Sequence, residues 1–378
     1  MNDAVSQSFN SYFGVLKDPR INRKKLYPLT EILFVIIAGS VCFAESWRDY
    51  VSFGKEKIDF LRQYYPFENE IPSKNTFARV LAALDPETFK QQFILWVQSL
   101  QTLLKGVIAI DGKTLCNSID INSKNSAIHM VSAFATEMNL VLAQQKVSEK
   151  SNEITAIPKL LALLDLRGQI VTIDAMGTQK AIAKQIIEKE GDYILALKGN
   201  QGTLNNDVRL FLEHELSKKQ STAIKDVYED SNRGHGRIET RRCVVSDAIT
   251  WLEQKEQWSG LNTIAMIEET REIKGKKSIE RRFFISSLAP DAKKLALGVR
   301  AHWKVENNLH WTLDVVFNED KSSIRKDNAG ENMAMIRHIT LNMLNHARTQ
   351  YKNTGIKALR KKACWGNETL KLILEQNF

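Results

Sequence analysis

From Lys105 to about Asn200 the chain alternates apolar and amphipathic runs in the order strand, strand, strand, helix, strand, helix, strand, and this order restricts the fold more than any other feature. The strand-like runs are KGVIAIDGKTL, the two halves of SAIHMVSAFATEMNLVLAQQKV on either side of the polar break Thr136–Asn139, then QIVTIDAM and DYILALKGN. The helical runs are NEITAIPKLLALLDLRG and QKAIAKQIIEKEG. Crossovers between parallel strands are right-handed, which leaves few topologies, among them the ribonuclease H-like mixed sheet. In that sheet the first and fourth strands are neighbours. Asp111 closes the first and Asp174 the fourth, so the topology predicts two carboxylates side by side at one sheet edge.

Packing explains such acids poorly, because an ionised Asp is seldom buried unless it is paired or binds a cation. A third acid, Glu306, lies far downstream in the helical stretch RAHWKVENNLHW. Carboxylate oxygens suit Mg²⁺ or Mn²⁺, and two such ions roughly 3.5–4 Å apart support in-line displacement at phosphorus. In that arrangement Asp111 bridges both ions, while Asp174 and Glu306 each complete one. The alternatives are that each acid caps a surface turn or joins a salt bridge, and that Asp314 replaces Glu306 as third ligand.

Residues 1–100 read as an all-helical N-terminal domain, with Ser73 and Asp85 placed to cap the helices that follow them. Residues 101–378 form the expected α/β core, interrupted at about 203–290 by a mostly β insertion with one helix, TLNNDVRLFLEHELSKKQ. Within the insertion, HGRIETRRCVVS, LNTIAMIEETREI and KKSIERRFFISSL read as strands, with a hairpin across KGKK. The Glu306 helix follows, and then a helical tail with apolar spacing at Met333, Ile336, Ile339 and Met343.

With 378 residues, 43% of them hydrophobic, the chain can bury a large core. Its longest uncharged apolar run, Ile32 to Ala44, is 13 residues, short of the roughly 20 a membrane helix needs, so a buried helix is expected. No signal peptide is read at the start, and the widely spaced Cys42, Cys116, Cys243 and Cys364 are expected to be reduced core thiols of a cytoplasmic protein. The net charge of +9, concentrated beyond residue 200, permits a polyanionic partner.

IAIDGKT, TIDAMGTQ, YILALKGNQ, RGHGRIETR and HWKVENNLHWTLDVVFNED resemble segments of bacterial insertion-sequence DDE transposases of the H-repeat-associated (ISAs-type) family. LKDPRINRKKLYPLTEILFVIIAGSVCFAESWRDYVSFG resembles the helical domain associated with them. The resemblance implies a ribonuclease H-like core with a β insertion, and Mg²⁺- or Mn²⁺-dependent cutting at element ends followed by joining to target DNA. It maps the metal-binding triad onto Asp111, Asp174 and Glu306, favouring Glu306 over Asp314. The implied partner is double-stranded DNA, as terminal inverted repeats and target, bound by a homodimer once two ends are paired. A bacterial cytoplasmic, nucleoid-associated location follows from that partner. A structure-selective nuclease on the same core and a catalytically silent DNA-binding protein are the alternatives.

The residues expected to touch DNA are Lys113, two positions past Asp111; Lys198, Asn200 and Gln201 after the fifth strand; His235 and Arg237 in the glycine-flanked basic segment; and Arg300 and His302 on the Glu306 helix. His302, Glu306 and His310 share a helix face, but the HExxH pattern of helix-borne zinc hydrolases is missing. Trp303 and Trp311 read as core residues.

Overall fold

The computed structural model describes residues 3–100, 106–116, 127–148, 152–234 and 236–378. Six helices come first: α1 (Asp3–Phe13), α2 (Leu29–Val41), α3 (Trp47–Glu56), α4 (Ile58–Leu61), α5 (Lys74–Ala83) and α6 (Pro86–Ser99). The expected caps are in place, with the Ser73 hydroxyl accepting from the Thr76 amide and the Asp85 carboxylate from that of Thr88. The apolar run forms α2, which is buried on all sides except at Thr30. Among the described residues no helix is long and apolar enough to cross a membrane.

The core follows as β1 (Val107–Leu115), β2 (Ile128–Ala135), β3 (Leu140–Lys146), α7 (Glu153–Ala162), β4 (Ile170–Ile173), α8 (Lys180–Glu188) and β5 (Asp192–Leu197). Strand β1 pairs antiparallel with β2 and β2 with β3; on its other side β1 pairs parallel with β4, and β4 with β5. The resulting order, β3-β2-β1-β4-β5, is that of the ribonuclease H-like sheet.

The insertion comprises α9 (Gly202–Ser217), β6 (Asp226–Gly234), β7 (Arg237–Ser246), β8 (Thr263–Ile273) and β9 (Lys276–Ser286). The hairpin across KGKK forms, with Ile273 opposite Lys276. Its two turn residues, Lys274 and Gly275, sit at φ 49° and 76°, as a two-residue type I′ turn requires. One feature differs from the sequence expectation: strand β6 has no apolar alternation to show it, because DVYEDSNRG is polar and mostly exposed. The insertion continues the core sheet: the buried half of β9, Phe283 to Ser286, pairs with β5, giving a sheet of nine strands among the described residues. The charged halves of β7, β8 and β9 project beyond that core.

The chain then forms α10 (Ala292–Lys304), a π-helical turn (Val305–His310), α11 (Trp311–Val315), α12 (Ala329–Ala347), α13 (Ile356–Trp365) and α14 (Asn367–Glu375). Helix α12 is buried along most of its length between β3 and the N-terminal helices α2, α5 and α6. Phe378 packs on Phe9, Phe13 and Trp96, and buried Arg360 lies between the rings of Phe43 and Phe317 while donating to the Ser40 carbonyl. The first hundred residues therefore share one core with the C-terminal helices. Only two of the four cysteines are core thiols: Cys42 and Cys243 are buried, whereas Cys116 and Cys364 are exposed.

The open edge of β3 is closed by a side chain. The buried Asn342 amide of α12 accepts from the Val141 N–H and donates to the Val141 carbonyl, both at 2.8 Å. Replacing it by an apolar isostere leaves both backbone groups buried without partners, each costing about 1–3 kcal/mol. Asn342→Leu is expected to lower the unfolding free energy by about 3 kcal/mol in urea titration; an unchanged midpoint would show that this edge is closed by other means.

Candidate active site

Asp111 and Asp174 come together through the β1–β4 register. Ile110 is opposite Ile173, and an aspartate follows each: Asp174 lies just past the end of β4, whereas Asp111 does not close β1 as expected, because pairing with β2 carries that strand on to Leu115. Asp111 stays in the sheet, paired with Ser132 on β2, while Asp174 opens the loop after β4 and accepts a bond from the Gly177 amide at 3.1 Å. Helix α10 lies across this sheet, touching β1, β4 and β5. Gly298 faces β5 at this crossing, and a Cβ there would lie 2.4 Å from the Ile194 Cδ1, which would have to shift. The helix then widens into the π turn, which buries Val305 and Leu309 and leaves Glu306 exposed. Such turns recur at functional sites.

Asp111 lies within electrostatic reach of the other two acids. Burial pushes the Asp111 carboxyl up to about 7, with the charges of Glu306, Asp174 and Glu153 raising it further against the Gly112 backbone N–H. Among the described residues no Lys or Arg forms an ion pair with Asp111, Asp174 or Glu306. Nor does any group of three His, Cys, Asp or Glu side chains stand close enough, as oriented, to hold a metal ion.

Each aspartate has a histidine beside it. The His310 Nδ1 lies 3.5 Å from an Asp111 carboxylate oxygen. Burial pulls this imidazole down to about 4, with Lys113 and His338 adding to the shift, so it is neutral near pH 7. His302 is hydrogen-bonded through Nδ1 to the Thr172 hydroxyl of β4 at 3.0 Å, and burial lowers its pKa against the pull of Asp174. Both histidines thus attach the helix to the acid-bearing strands.

Several other expected residues are already engaged. Lys113 does not face solvent: its ammonium pairs with Asp314 and, at 2.8 Å, with Glu319. Glu319 is buried and also meets Arg337 at 3.3 Å. Asp314, the rival third ligand, is spent in this network. Asn200 and Gln201 donate to the Ala175 and Thr178 carbonyls, bracing the loop after Asp174. Lys198 is exposed at the end of β5. Arg237 pairs with Glu239 at 3.0 Å and Arg300 with Asp230 at 2.9 Å, on the insertion side of α10. His235 lies outside the described residues.

The sequence reading missed one pair and misplaced another. Glu153 bonds His129 Nε2 at 2.6 Å, and His129 Nδ1 bonds the Thr114 hydroxyl at 2.8 Å. This chain packs over Gly112, where a Cβ would fall 2.2 Å from a Glu153 carboxylate oxygen. An acid in a helix's first turn reads as a dipole partner, so no sequence signal linked Glu153 to His129. Trp303 and Trp311, expected in the core, are 47% and 57% exposed.

Removing one partner of a buried ion pair strands the other charge, at about 3–5 kcal/mol. Lys113→Ala is therefore expected to destabilise the chain by about 3 kcal/mol in chemical denaturation, although by sequence alone the residue reads as a DNA-facing lysine. A loss below 0.5 kcal/mol, the range of ordinary surface changes, would contradict its placement beneath the acids.

Residues 103–343 match the family described as "Transposase DDE domain", and residues 10–97 that described as "DDE_Tnp_1-associated". The chain is 40% identical to "Putative transposase YncI" of Escherichia coli O157:H7, over 98% of this chain and 96% of that one. It is 41% identical to "H repeat-associated putative transposase YhhI" of Escherichia coli (strain K12), over 96% of each. A piggyBac transposase chain, solved by cryo-EM in a synaptic complex with hairpin DNA, aligns over 100% of this chain and 79% of its own at 12% identity and a TM-score of 0.45. The domain match across most of the chain, together with near full-length relatives at this identity, makes the protein a member of the bacterial DDE transposases of the H repeat-associated family.

Proposed function

We propose that this chain is the transposase of an insertion sequence, which cuts double-stranded DNA at the element's terminal repeats and joins the freed 3′-OH to target DNA. The observation that carries the reading is the meeting of Asp111 and Asp174 where the parallel β1–β4 pairing ends, within electrostatic reach of Glu306 and without a Lys or Arg ion pair among the described residues. Crowded, partly buried carboxylates are costly unless a cation relieves them. The donor set is all hard oxygen and fits Mg²⁺ or Mn²⁺. Asp111, Asp174 and Glu306 would hold it once their side chains turn to converge. When bound, such ions activate the attacking oxygen and stabilise the leaving oxygen of a phosphodiester.

The protein's own groups have separable tasks in this reading. Neutral His310 steadies the Asp111 carboxylate without neutralising it. Asn200 and Gln201 fix the loop that orients Asp174, and the Lys113–Glu319–Arg337 network anchors β1 from below. Exposed Lys198, with Arg237 and Arg300, supplies positive charge for phosphates. Joining two element ends requires two active sites, so a homodimer on paired ends belongs to the proposal.

Asp111→Asn, Asp174→Asn and Glu306→Gln are each expected to reduce cleavage of element-end DNA in Mg²⁺ by about 10³-fold, equivalent to about 4 kcal/mol of transition-state stabilisation, with circular dichroism and DNA retention unchanged. Parent-like cutting by any of the three removes that residue from the site. Supplied with precut ends bearing free 3′-OH groups, the parent should insert them into plasmid DNA; hydrolysis without insertion would reduce the function to a nuclease.

A pH dependence follows as well. The folded Asp111 value, about 7, exceeds the ordinary 3.8, so proton binding there stabilises the metal-free fold at low pH, and this contribution is lost as pH rises through 7. A divalent ion competes with that proton. Millimolar Mg²⁺ should therefore raise the Tm more at pH 8 than at pH 6, with the difference abolished in Asp111→Asn; an equal rise at both pH values would argue that the ion binds elsewhere.

A further inference from the structure

Beside Asp111 lies a small cavity of about 10 Å³, walled by side chains of β1, β2, the π turn and α12. Two of its walls are imidazoles: His310, which ends the π turn, and His338, on α12. Both are buried, at 9% and 3% exposure. Each has one ring nitrogen without a hydrogen-bond partner among the described residues, Nε2 of His310 and Nδ1 of His338. An unpaired buried nitrogen keeps the full cost of losing its water. The other nitrogen of His310, Nδ1, is the one that lies 3.5 Å from the Asp111 carboxylate.

A cavity of this size has room for about one water. The Lys113 ammonium, also on its wall, opposes a cation there. Ser132, buried at the β2 position opposite Asp111, and Glu319 add polar surface to the two imidazoles, enough to hold a water in place. In a neutral imidazole one nitrogen donates and the other accepts, so the partner of one decides what the other offers. A water that donates to His310 Nε2 leaves the ring proton on Nδ1, facing the Asp111 carboxylate. The opposite tautomer would turn a lone pair toward that carboxylate instead.

We propose that His338 is a positioning residue for the cutting site: through one water it holds His310 as the Nδ1–H tautomer, which orients the Asp111 carboxylate for a divalent ion. The proposal rests on reading Asp111, Asp174 and Glu306 as the residues that hold the ions. Groups that orient a metal ligand without touching the metal commonly change its affinity tenfold or more. His338 is one turn before Asn342, which closes the β3 edge, and next to Arg337, which pairs with Glu319. Helix α12 thus links the helical region to the acid without itself reaching the ions.

The test uses the full, metal-free chain with its seven histidine rings labelled with ¹⁵N, read by long-range proton–nitrogen NMR, which tells the two neutral tautomers apart. The signal lost in His310→Gln identifies that ring. In the parent it should report Nδ1–H. His338→Leu, which removes both ring nitrogens, should convert it to Nε2–H, whereas His338→Asn, whose amide returns a polar group near the place of Nδ1, should keep the parent pattern. With element-end DNA present, His338→Leu should weaken Mn²⁺ binding about tenfold and His338→Asn much less, with circular dichroism and metal-free DNA binding unchanged. A high-resolution crystal structure should show one water within hydrogen-bond distance of His310 Nε2 and His338 Nδ1. An Nε2–H signal in the parent, an unchanged tautomer in His338→Leu, equal losses of Mn²⁺ affinity in the two variants, or a dry cavity would overturn the proposal. Should His338→Leu fail to fold, the parent spectrum and His338→Asn decide in its place. If Asp111→Asn binds Mn²⁺ and cuts like the parent, it is the active-site reading that fails; if that variant loses both but His338→Leu keeps the parent tautomer, the positioning role fails alone.

Discussion

The parallel pairing of β1 with β4 is the constraint on which the rest of the structure depends. Neighbouring strands run about 4.8 Å apart, so a carboxylate that follows the last β1–β4 pair on each strand has the other as an unavoidable neighbour. With Ile110 opposite Ile173, the chain leaves Asp111 and Asp174 in that position and brings Glu306 over them on the helix crossing the sheet. Burial disfavours the charged form of Asp111 most, and the neighbouring acid charges add to it, which pushes this carboxyl up to about 7. The fold tolerates the crowding because it is built from elements that cannot easily part: a parallel strand pair on one side, and a helix pinned by the His302–Thr172 bond on the other.

Beneath the acids lies a second set of charges with the opposite logic. Lys113 is two residues beyond Asp111, so the strand's alternation points both side chains to the same face. Whereas Asp111 has no Lys or Arg ion-pair partner among the described residues, Lys113 is enclosed by Asp314 and Glu319, and Glu319 by Arg337. These contacts join β1, the segment after the π turn and α12, which is itself packed on the N-terminal helices. The helical region therefore supports the sheet through α12, and Asn342 closes the β3 edge from the same helix.

Much of this was legible before any coordinates. The strand order, the neighbouring aspartates of the first and fourth strands, the caps at Ser73 and Asp85 and the KGKK hairpin all rest on local signals: periodicity, side chains that bond their own backbone, and turn residues that tolerate positive φ. What escaped depended on partners distant in sequence. Strand β6 is held by β7 and not by its own apolar pattern. The ion pairs of Lys113, the meeting of Glu153 with His129, and the exposure of Cys116 and Cys364 have no local signature. Trp303 and Trp311 differ from expectation for another reason: a tryptophan is ordinarily core, and their spacing suits a buried stripe, but both indoles, one on either side of the π turn, are exposed.

The central claim is that Asp111, Asp174 and Glu306 together hold the divalent ions at which a phosphodiester is cut. Crystals of the protein with an element-end DNA and Mn²⁺, measured for anomalous scattering at the manganese edge, test it most directly. The account requires anomalous density within coordinating distance of carboxylate oxygens from all three residues and of a DNA phosphate. Manganese bound elsewhere, with the three acids still apart and facing no phosphate, would contradict it.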